Sequence, residues 1–337
     1  MGERGSFGVR ADEAGLCLDA LGIWLDPTGP RPLAFVSHAH ATRAMGSGCV
    51  LASRETIAVA RDLGQPLQGA RAIGWEESVE LPIGRAFGGG TARVSLAPAG
   101  HALGAAQLVV QHPRGCLVYA GDWGAEADGT HPAGVAVACD ELIVTSTFAL
   151  PIFRFEAHAR TMRALVDFCA EQLADGQTPV VLAQSPGPAQ AIARELIARG
   201  LPVAAHEDVR RAAAAYEALG VVIGPLGEDL PGSPRAAVLA PAGMRASALR
   251  RRRRAVVAYA SGWALLDAAL EQKRADAAFA LADQADHDAL LSLVRSSGAT
   301  RVHATYGDGR ALSQILRVQG VKADAFELPA IDERGAS

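Results

Sequence analysis

The chain has 337 residues, of which 50% are hydrophobic and 20% are charged, and its formal net charge is −4. This composition excludes a largely disordered chain and fits one large globular domain or two ordinary ones. The net charge also excludes a general attraction to polyanions, so a nucleic acid would need a local basic patch.

The first 150 residues predict a β-rich half, because short apolar runs alternate with Gly and Pro. The only predicted helix in this half covers residues 55–63. The predicted strands cover residues 22–27, 33–36, 49–52, 92–97, 107–111, 116–120 and 142–144.

From residue 155 onward, Ala-rich helices alternate with short strands, which is typical of an α/β arrangement. A Gly- and Pro-rich stretch at residues 225–241 predicts a loop. The predicted helices cover 157–173, 188–199, 209–219, 289–296 and 309–318, and the predicted strands cover 178–183, 201–205, 255–260, 277–282 and 300–305.

The five cysteines show no CxxC or similar ligand spacing, which favours reduced thiols over a disulfide framework. The N-terminus is polar, without the apolar segment of a signal peptide, and no long apolar run follows. We therefore expect a cytoplasmic protein that makes no contact with a membrane.

The most informative segment is Phe35-Val-Ser-His38-Ala-His40-Ala-Thr42-Arg43. Two histidines spaced i, i+2 on an extended segment project to one side, as a pair of metal ligands must. The pattern resembles the HxHxDH signature of the metallo-β-lactamase superfamily, in which the Asp and the last His bind a second metal. Thr42 and Arg43 occupy those two positions.

Four further segments, collinear with the first, resemble the β-CASP nucleases of that superfamily and in particular the bacterial ligase-associated DNA exonucleases, also labelled mRNA 3′-end processing factor-like. Gly100-His101-Ala-Leu-Gly104-Ala-Ala-Gln107 is similar to GHxLGSAQ, Tyr119-Ala-Gly-Asp122-Trp to YxGDf, Thr145-Ser-Thr147-Phe-Ala-Leu-Pro151 to ESTFGLP, and Ala260-Ser-Gly262-Trp263 to SGW.

The resemblance implies an α/β fold: a metallo-β-lactamase αββα sandwich with a smaller inserted α/β (β-CASP) domain. It implies that residues 1–150 and 256–337 form the two parts of the sandwich and that residues 151–255 form the insertion. The family hydrolyses phosphodiesters with a pair of zinc ions.

Carried over residue by residue, the resemblance implies one metal site and a degenerate partner site. The ligands of the first metal correspond to His38, His40, His101 and the bridging Asp122. The ligands of the second metal correspond to Thr42, Arg43 and Tyr306, none of which is a good zinc ligand. An acidic residue and a catalytic histidine of the family correspond to Thr145 and Gln284. We therefore expect at most one zinc ion per chain, with catalysis lost or severely impaired.

Several interpretations of individual residues remain open. Arg43 could replace the second cation and pair with Asp122, and His287 or His303 could be recruited to the site. His38 and His40 could instead be hydrogen-bonded remnants in an empty pocket. Arg251, Arg252 and Arg253, within a run of five arginines, could contact a nucleic acid or could form a solvated face.

Three functions fit these observations. The first is a degenerate exonuclease relative in DNA repair or RNA processing, with DNA or RNA as ligand and a DNA ligase as a partner. The second is an active one-metal phosphoesterase or nuclease with altered chemistry. The third is a structural partner of an active paralogue.

Overall fold

The computed structural model describes residues 7–40, 44, 46–229, 235–244 and 254–328. Within these limits the chain forms two compact units. The first unit comprises residues 7–127, 131–154 and 284–328, and the second comprises residues 128–130 and 155–283.

Strands and helices alternate along most of the described chain. The strands are β1 (Val9–Asp12), β2 (Gly15–Leu18), β3 (Ile23–Leu25), β4 (Leu33–Phe35), β5 (Cys49–Ala52), β6 (Ala70–Ala72), β7 (Ser78–Pro82), β8 (Thr91–Pro98), β9 (Ala106–His112), β10 (Gly115–Tyr119), β11 (Glu141–Thr145), β12 (Thr178–Ala183), β13 (Val203–Ala205), β14 (Gly227–Glu228), β15 (Ala237–Pro241), β16 (Ala255–Ala260), β17 (Ala277–Phe279), β18 (Arg301–Thr305) and β19 (Lys322–Phe326). The helices are α1 (Arg54–Asp62), α2 (His158–Ala174), α3 (Pro188–Ala198), α4 (Glu207–Ala218), α5 (Asp267–Lys273), α6 (His287–Ser297) and α7 (Gly309–Val318), and two short 3₁₀ helices cover Arg85–Phe87 and Gly262–Leu265.

The first unit contains two mixed sheets. One has the order β1-β2-β3-β4-β5-β6, and the other has the order β19-β18-β11-β10-β9-β8-β7. Strand β8 illustrates why the chain forms a sheet here: Ala92, Val94 and Leu96 are buried, and the residues between them are more exposed. This alternation places one face of the strand against a core and the other toward solvent.

The two sheets of the first unit pack face to face. One buried cluster combines Leu16 and Phe35 of the first sheet with Leu108, Tyr119 and Ile143 of the second. The opposite face of the second sheet is covered by α6 and α7, which contribute residues such as Leu290 and Leu312 to another buried cluster. Helix α1 connects the parallel strands β5 and β6 and so lies along the first sheet.

The second unit is built on one parallel sheet with the order β14-β13-β15-β12-β16-β17. Its core includes Val180 and Leu182 of β12 together with Val238 and Val257 of the neighbouring strands. Helices α2, α3 and α4 alternate with the strands, which agrees with the α/β class that the sequence predicts.

The structure corrects the predicted loop at residues 225–241. This stretch contains β14 and β15, and β15 pairs on both sides, with β12 and β13. Its apolar residues are short alanines around Val238 and Leu239, followed by Pro241, and these residue types give a weak strand signal. Burial in the centre of the sheet stabilises the strand despite that weak local preference.

The second compact unit includes two strands that begin at or after residue 255. Strand β16 pairs with β12, and β17 pairs with β16, so the second unit continues to residue 283. Among the helices that the structure describes, none combines the length and apolar character that a membrane crossing requires.

Candidate metal centre

Three histidines of the first unit converge. His38, His40 and His101 each offer one ring nitrogen, and these nitrogens lie within 4.8 Å of one another. Nδ1 of His40 lies 3.2 Å from Nε2 of His101. A tetrahedral zinc site with ligand distances of about 2.0–2.1 Å places neighbouring donors about 3.3 Å apart. The cluster could therefore hold a metal ion, as the spacing and the GHxLG segment predict.

A chain of hydrogen bonds orients His38. The backbone N–H of Ser37 donates to Oδ1 of Asp26 at 2.7 Å, and the Ser37 hydroxyl donates to Oδ2 of Asp26 at 2.6 Å. Oγ of Ser37 is 2.8 Å from Nδ1 of His38. Because the hydroxyl proton is directed to Asp26, Oγ accepts the proton of Nδ1, and Nε2 of His38 keeps its lone pair for a metal.

Electrostatics favour the neutral form of His38. Burial lowers its pKa well below the ordinary value, and the neighbouring His101 and His40 lower it further. A neutral imidazole is the form that binds a metal ion. His38 is therefore already in the neutral form that a metal ligand requires.

Asp26 anchors this chain of hydrogen bonds from a strained turn after β3. Its φ is 41°, and its Oδ2 also accepts from the Tyr119 hydroxyl at 2.7 Å. Burial raises the pKa of Asp26 to about 6, while the hydrogen bonds from Ser37 and Tyr119 act in the opposite direction. At neutral pH the carboxylate is ionised, as its hydrogen-bond donors require.

Two glycines shape the loop that carries His101. Gly100 has a φ of 77°, and a Cβ there would overlap the backbone nitrogen of Gly134 and the carbonyl oxygen of Gly124. Gly104 has a φ of 83°, and its carbonyl accepts from the Ser53 and Thr56 hydroxyls at 2.7 and 2.9 Å. The glycines of this segment thus have a steric cause, since other residues do not fit there.

Asp122 lies beside the three histidines. Its Oδ2 is 3.8 Å from Nε2 of His38 and 3.8 Å from Nε2 of His101. Nε2 of Gln284 donates to the same Oδ2 at 3.1 Å. The structure therefore brings His38, His40, His101 and Asp122 together with Gln284, whose amide hydrogen-bonds the Asp122 carboxylate.

The remaining residues singled out in the sequence have different surroundings. The Thr145 hydroxyl donates to the carbonyl of Gly121 at 3.0 Å, next to Asp122. Tyr306 follows β18 with a φ of 52°. Burial raises the pKa of Tyr119 well above its ordinary value, and the neighbouring Asp26 and Tyr306 raise it further. Thr42, Arg43, Arg251, Arg252 and Arg253 lie outside the described residues, so the pairing of Arg43 with Asp122 stays a prediction.

His287 and His303 do not belong to the three-histidine group. Nδ1 of His287 lies 2.6 Å from the carbonyl of Ala149, and its backbone N–H donates to Phe153. Nε2 of His303 lies 2.6 Å from Oε1 of Glu141, and its ring stacks on Phe326. Both histidines are buried and serve the packing of the first unit.

The sequence alone does not predict roles for Asp26, Ser37 and Tyr119. The available signal was weak: each is a polar residue at the end of an apolar strand, and Ser37 directly precedes His38. Only the fold shows that these ends meet at one place.

Comparison with known proteins gives one informative relative. No protein-family model matches the chain. A protein of Opitutus terrae named "Probable DNA ligase" is 31% identical to the chain over 320 residues. This match covers 93% of the chain but only 30% of the relative, so the chain spans about a third of the relative's length.

Proposed function

We propose that the chain is a degenerate relative of the metallo-β-lactamase/β-CASP nucleases that holds one zinc ion and acts in DNA repair or RNA processing. In this proposal cleavage of phosphodiesters is lost or severely impaired. The observation that carries the proposal is the convergence of His38, His40 and His101 beside Asp122, at the positions where the sequence resembles the first metal site of that family.

The donor set fits zinc. Three imidazole nitrogens and a carboxylate oxygen are ligands that zinc accepts, and magnesium or calcium prefer oxygen-rich sites. The Ser37 hydrogen bond gives His38 the tautomer that a ligand needs. A zinc ion held there would supply Lewis-acid polarisation of a phosphate oxygen and would make a water molecule more acidic.

At the position that resembles the family's catalytic histidine, this site has no titratable side chain. Gln284 occupies the position that resembles the family's catalytic histidine, and its amide donates to Asp122. An amide neither gives nor takes a proton near neutral pH, and loss of a general acid or base typically lowers a rate by about 10²–10⁴-fold. The proposal of impaired catalysis rests on this replacement and on Thr42, Arg43 and Tyr306.

The relative supports a connection to DNA ligation. It is named a probable DNA ligase, and this chain matches only 30% of its length. We therefore include a DNA ligase among the proposed partners, with DNA or RNA as the bound ligand. The chain itself is proposed to bind DNA or RNA rather than to ligate it.

A second candidate function is an active one-metal phosphoesterase. The donors within 4.8 Å of one another are the three histidines, while Asp122 is held by Gln284 at 3.8 Å from two of them. Three protein ligands with an open fourth position are the arrangement of catalytic zinc sites. Asp122 would then accept a hydrogen bond from the substrate or from water instead of binding the ion.

Metal analysis tests the proposed site. We expect about one zinc per chain, by plasma mass spectrometry, in protein purified without a metal-binding tag. His38→Ala should lose the zinc, whereas His112→Ala, which changes a histidine in β9, should retain it. Two zinc ions per chain, or none in the unaltered protein, would contradict the proposal.

A cleavage assay then separates the two functions. Labelled single- and double-stranded DNA and RNA are incubated with the zinc-loaded protein and with His38→Ala. The degenerate-nuclease proposal expects no difference between them in product formation. Cleavage that zinc supports and that His38→Ala abolishes would favour the one-metal enzyme and overturn the first proposal.

A further inference from the structure

Two arginines of the second unit converge at one edge of its parallel sheet. Arg235 lies just before β15, Arg254 lies just before β16, and Gly176 forms the turn before β12. A Cβ placed on Gly176 would lie 3.3 Å from Nη1 of Arg254 and 3.4 Å from Nη1 of Arg235. Both guanidinium groups therefore reach the same point above this turn.

A backbone hydrogen bond ties Arg254 to the start of β12 and leaves its side-chain charge unneutralised. The N–H of Thr178 donates to the carbonyl of Arg254 at 3.0 Å. Among the described residues, no carboxylate lies within ion-pair distance of Arg235 or Arg254, although many other exposed arginines have such a partner. An anion placed near this point would be within reach of both guanidinium groups.

The pair occupies a distinct end of the second unit. Strands β15, β12 and β16 are adjacent and parallel, and the arginines and Gly176 precede them, so all three residues lie at the amino-terminal edge. Helix α2 leads into the turn at Gly176 and therefore begins near the opposite edge. Strand β17, parallel to β16, also ends at that opposite edge.

We propose that Arg235 and Arg254 form a phosphate-binding surface for the backbone of a nucleic acid, separate from the three-histidine cluster. The planar guanidinium group matches the oxygens of a phosphate with two parallel hydrogen bonds. Arg250 to Arg253 precede Arg254 in the sequence and lie outside the described residues, so the proposed surface consists of Arg235 and Arg254 alone. Because the chain as a whole carries −4, the attraction is local.

The choice of a nucleic acid over an acidic protein segment follows from charge density. A duplex presents closely spaced phosphates along a continuous line, so Arg235 and Arg254 can each contact one of them at the same time. This inference does not depend on the metal site, so loss of zinc should leave the binding unchanged. It rests on the nucleic-acid part of the proposed function but not on the zinc site, and duplex binding that persists in His38→Ala would separate the two.

The test compares two double variants of the full chain. Binding of a fluorescein-labelled DNA duplex is measured by anisotropy at salt concentrations between about 50 and 200 mM. Arg235→Gln/Arg254→Gln should weaken binding at low salt at least tenfold and reduce the slope of log K against log salt by about 2, because each phosphate contact contributes about 0.9. Arg163→Gln/Arg211→Gln, with the same change in net charge on exposed helix positions, should have a much smaller effect.

Each outcome decides the proposal. Equal losses in both double variants would mean that net charge alone governs binding, and unchanged binding in both would remove the surface; either result overturns the proposal. Binding of the protein to polyglutamate, with no measurable binding to the duplex, would overturn the choice of a nucleic acid as the ligand. Thermal melting of both variants at the temperature of the unaltered protein shows that the comparison is between folded proteins.

Discussion

At the scale of single residues, Ser37 is the link between a buried carboxylate and a metal-ligand candidate. Its hydroxyl donates to Asp26 and accepts from His38, so one small side chain determines which nitrogen of His38 bears the proton. An alanine at this position would remove both interactions while leaving the backbone unchanged. The role of Ser37 can therefore be separated from that of the ligands.

We predict that Ser37→Ala weakens zinc binding by about 10- to 100-fold, which is the usual effect of removing a hydrogen bond to a metal-ligating histidine. The dissociation constant is measured by competition with a chromophoric chelator. Ser78→Ala, which changes an exposed serine in β7, is the matched control and should bind zinc like the unaltered protein. Equal affinities in all three proteins would show that Ser37 does not position His38.

The residues that the sequence could predict are those with a short-range signature. His38 and His40 are two positions apart, and His101 and Asp122 lie in recognisable segments, so all four were expected near one another. The hydrogen bonds of Asp26 join residues that are 11 and 93 positions apart. No local pattern encodes such a contact, because it depends on how the sheets pack.

At the scale of secondary-structure elements, the loop between β8 and β9 determines where His101 is held. The N–H of Ala106 donates to the carbonyl of Ser37 at 2.8 Å, so this loop is bonded directly to the segment that carries His38. Gly100 is at the tightest point of the loop. The loop and the β4 segment therefore position two of the three histidines jointly.

We predict that Gly100→Ala destabilises the protein by more than about 4 kcal/mol, because a left-handed backbone and a clash with neighbouring backbone act together. Chemical denaturation measures the free energy of unfolding. Gly89→Ala is the control, since Gly89 has a φ of 65° with no atom within 4 Å of an added Cβ. It should cost only about 1–2 kcal/mol, and similar losses in both variants would contradict the steric argument.

The elements that the sequence predicts best are those in which buried residues recur at the regular spacing of a strand or a helix. Strand β8 alternates buried and exposed residues, and α7 buries Leu312 and Leu316 four residues apart. The sequence does not predict strand β15, because its small residues lie in a Gly- and Pro-rich stretch that is typical of a loop. Its stability comes from β12 and β13 on either side, which a reading along the chain does not reveal.

At the scale of the whole molecule, the two units have separate hydrophobic cores. The change from a β-rich to a helical texture near residue 155 was visible in the sequence and coincides with the first boundary. The second boundary was not visible, because β16 and β17 look like any other strands. Strand β16 pairs with β12, with Ala255 opposite Thr178 from 77 positions earlier, and β17 pairs with β16; a pairing over such a distance is beyond the reach of a local pattern.

We predict that zinc stabilises the folded protein as a whole. A ligand that binds only the folded state adds about 2.7 kcal/mol when its free concentration is 100 times its dissociation constant. Calorimetry should therefore show a lower melting temperature after chelation and recovery on addition of zinc.

Two controls accompany the calorimetric measurement. Magnesium should not restore the melting temperature, because it prefers oxygen ligands. His40→Ala should respond to neither chelator nor zinc. A variant that still responds like the unaltered protein would show that the stabilising ion binds elsewhere.

The order of strands in the larger sheet of the first unit has a consequence for folding during synthesis. Strand β11 lies between β10 and β18. Residues 141–145 are therefore synthesised long before their partners at residues 301–305. The second unit, which is almost continuous in sequence, can collapse on the ribosome while the first unit still waits for its last strands. Until β18 and β19 emerge, one edge of β11 is exposed, and this interval is when the nascent chain is most prone to mispairing with another strand.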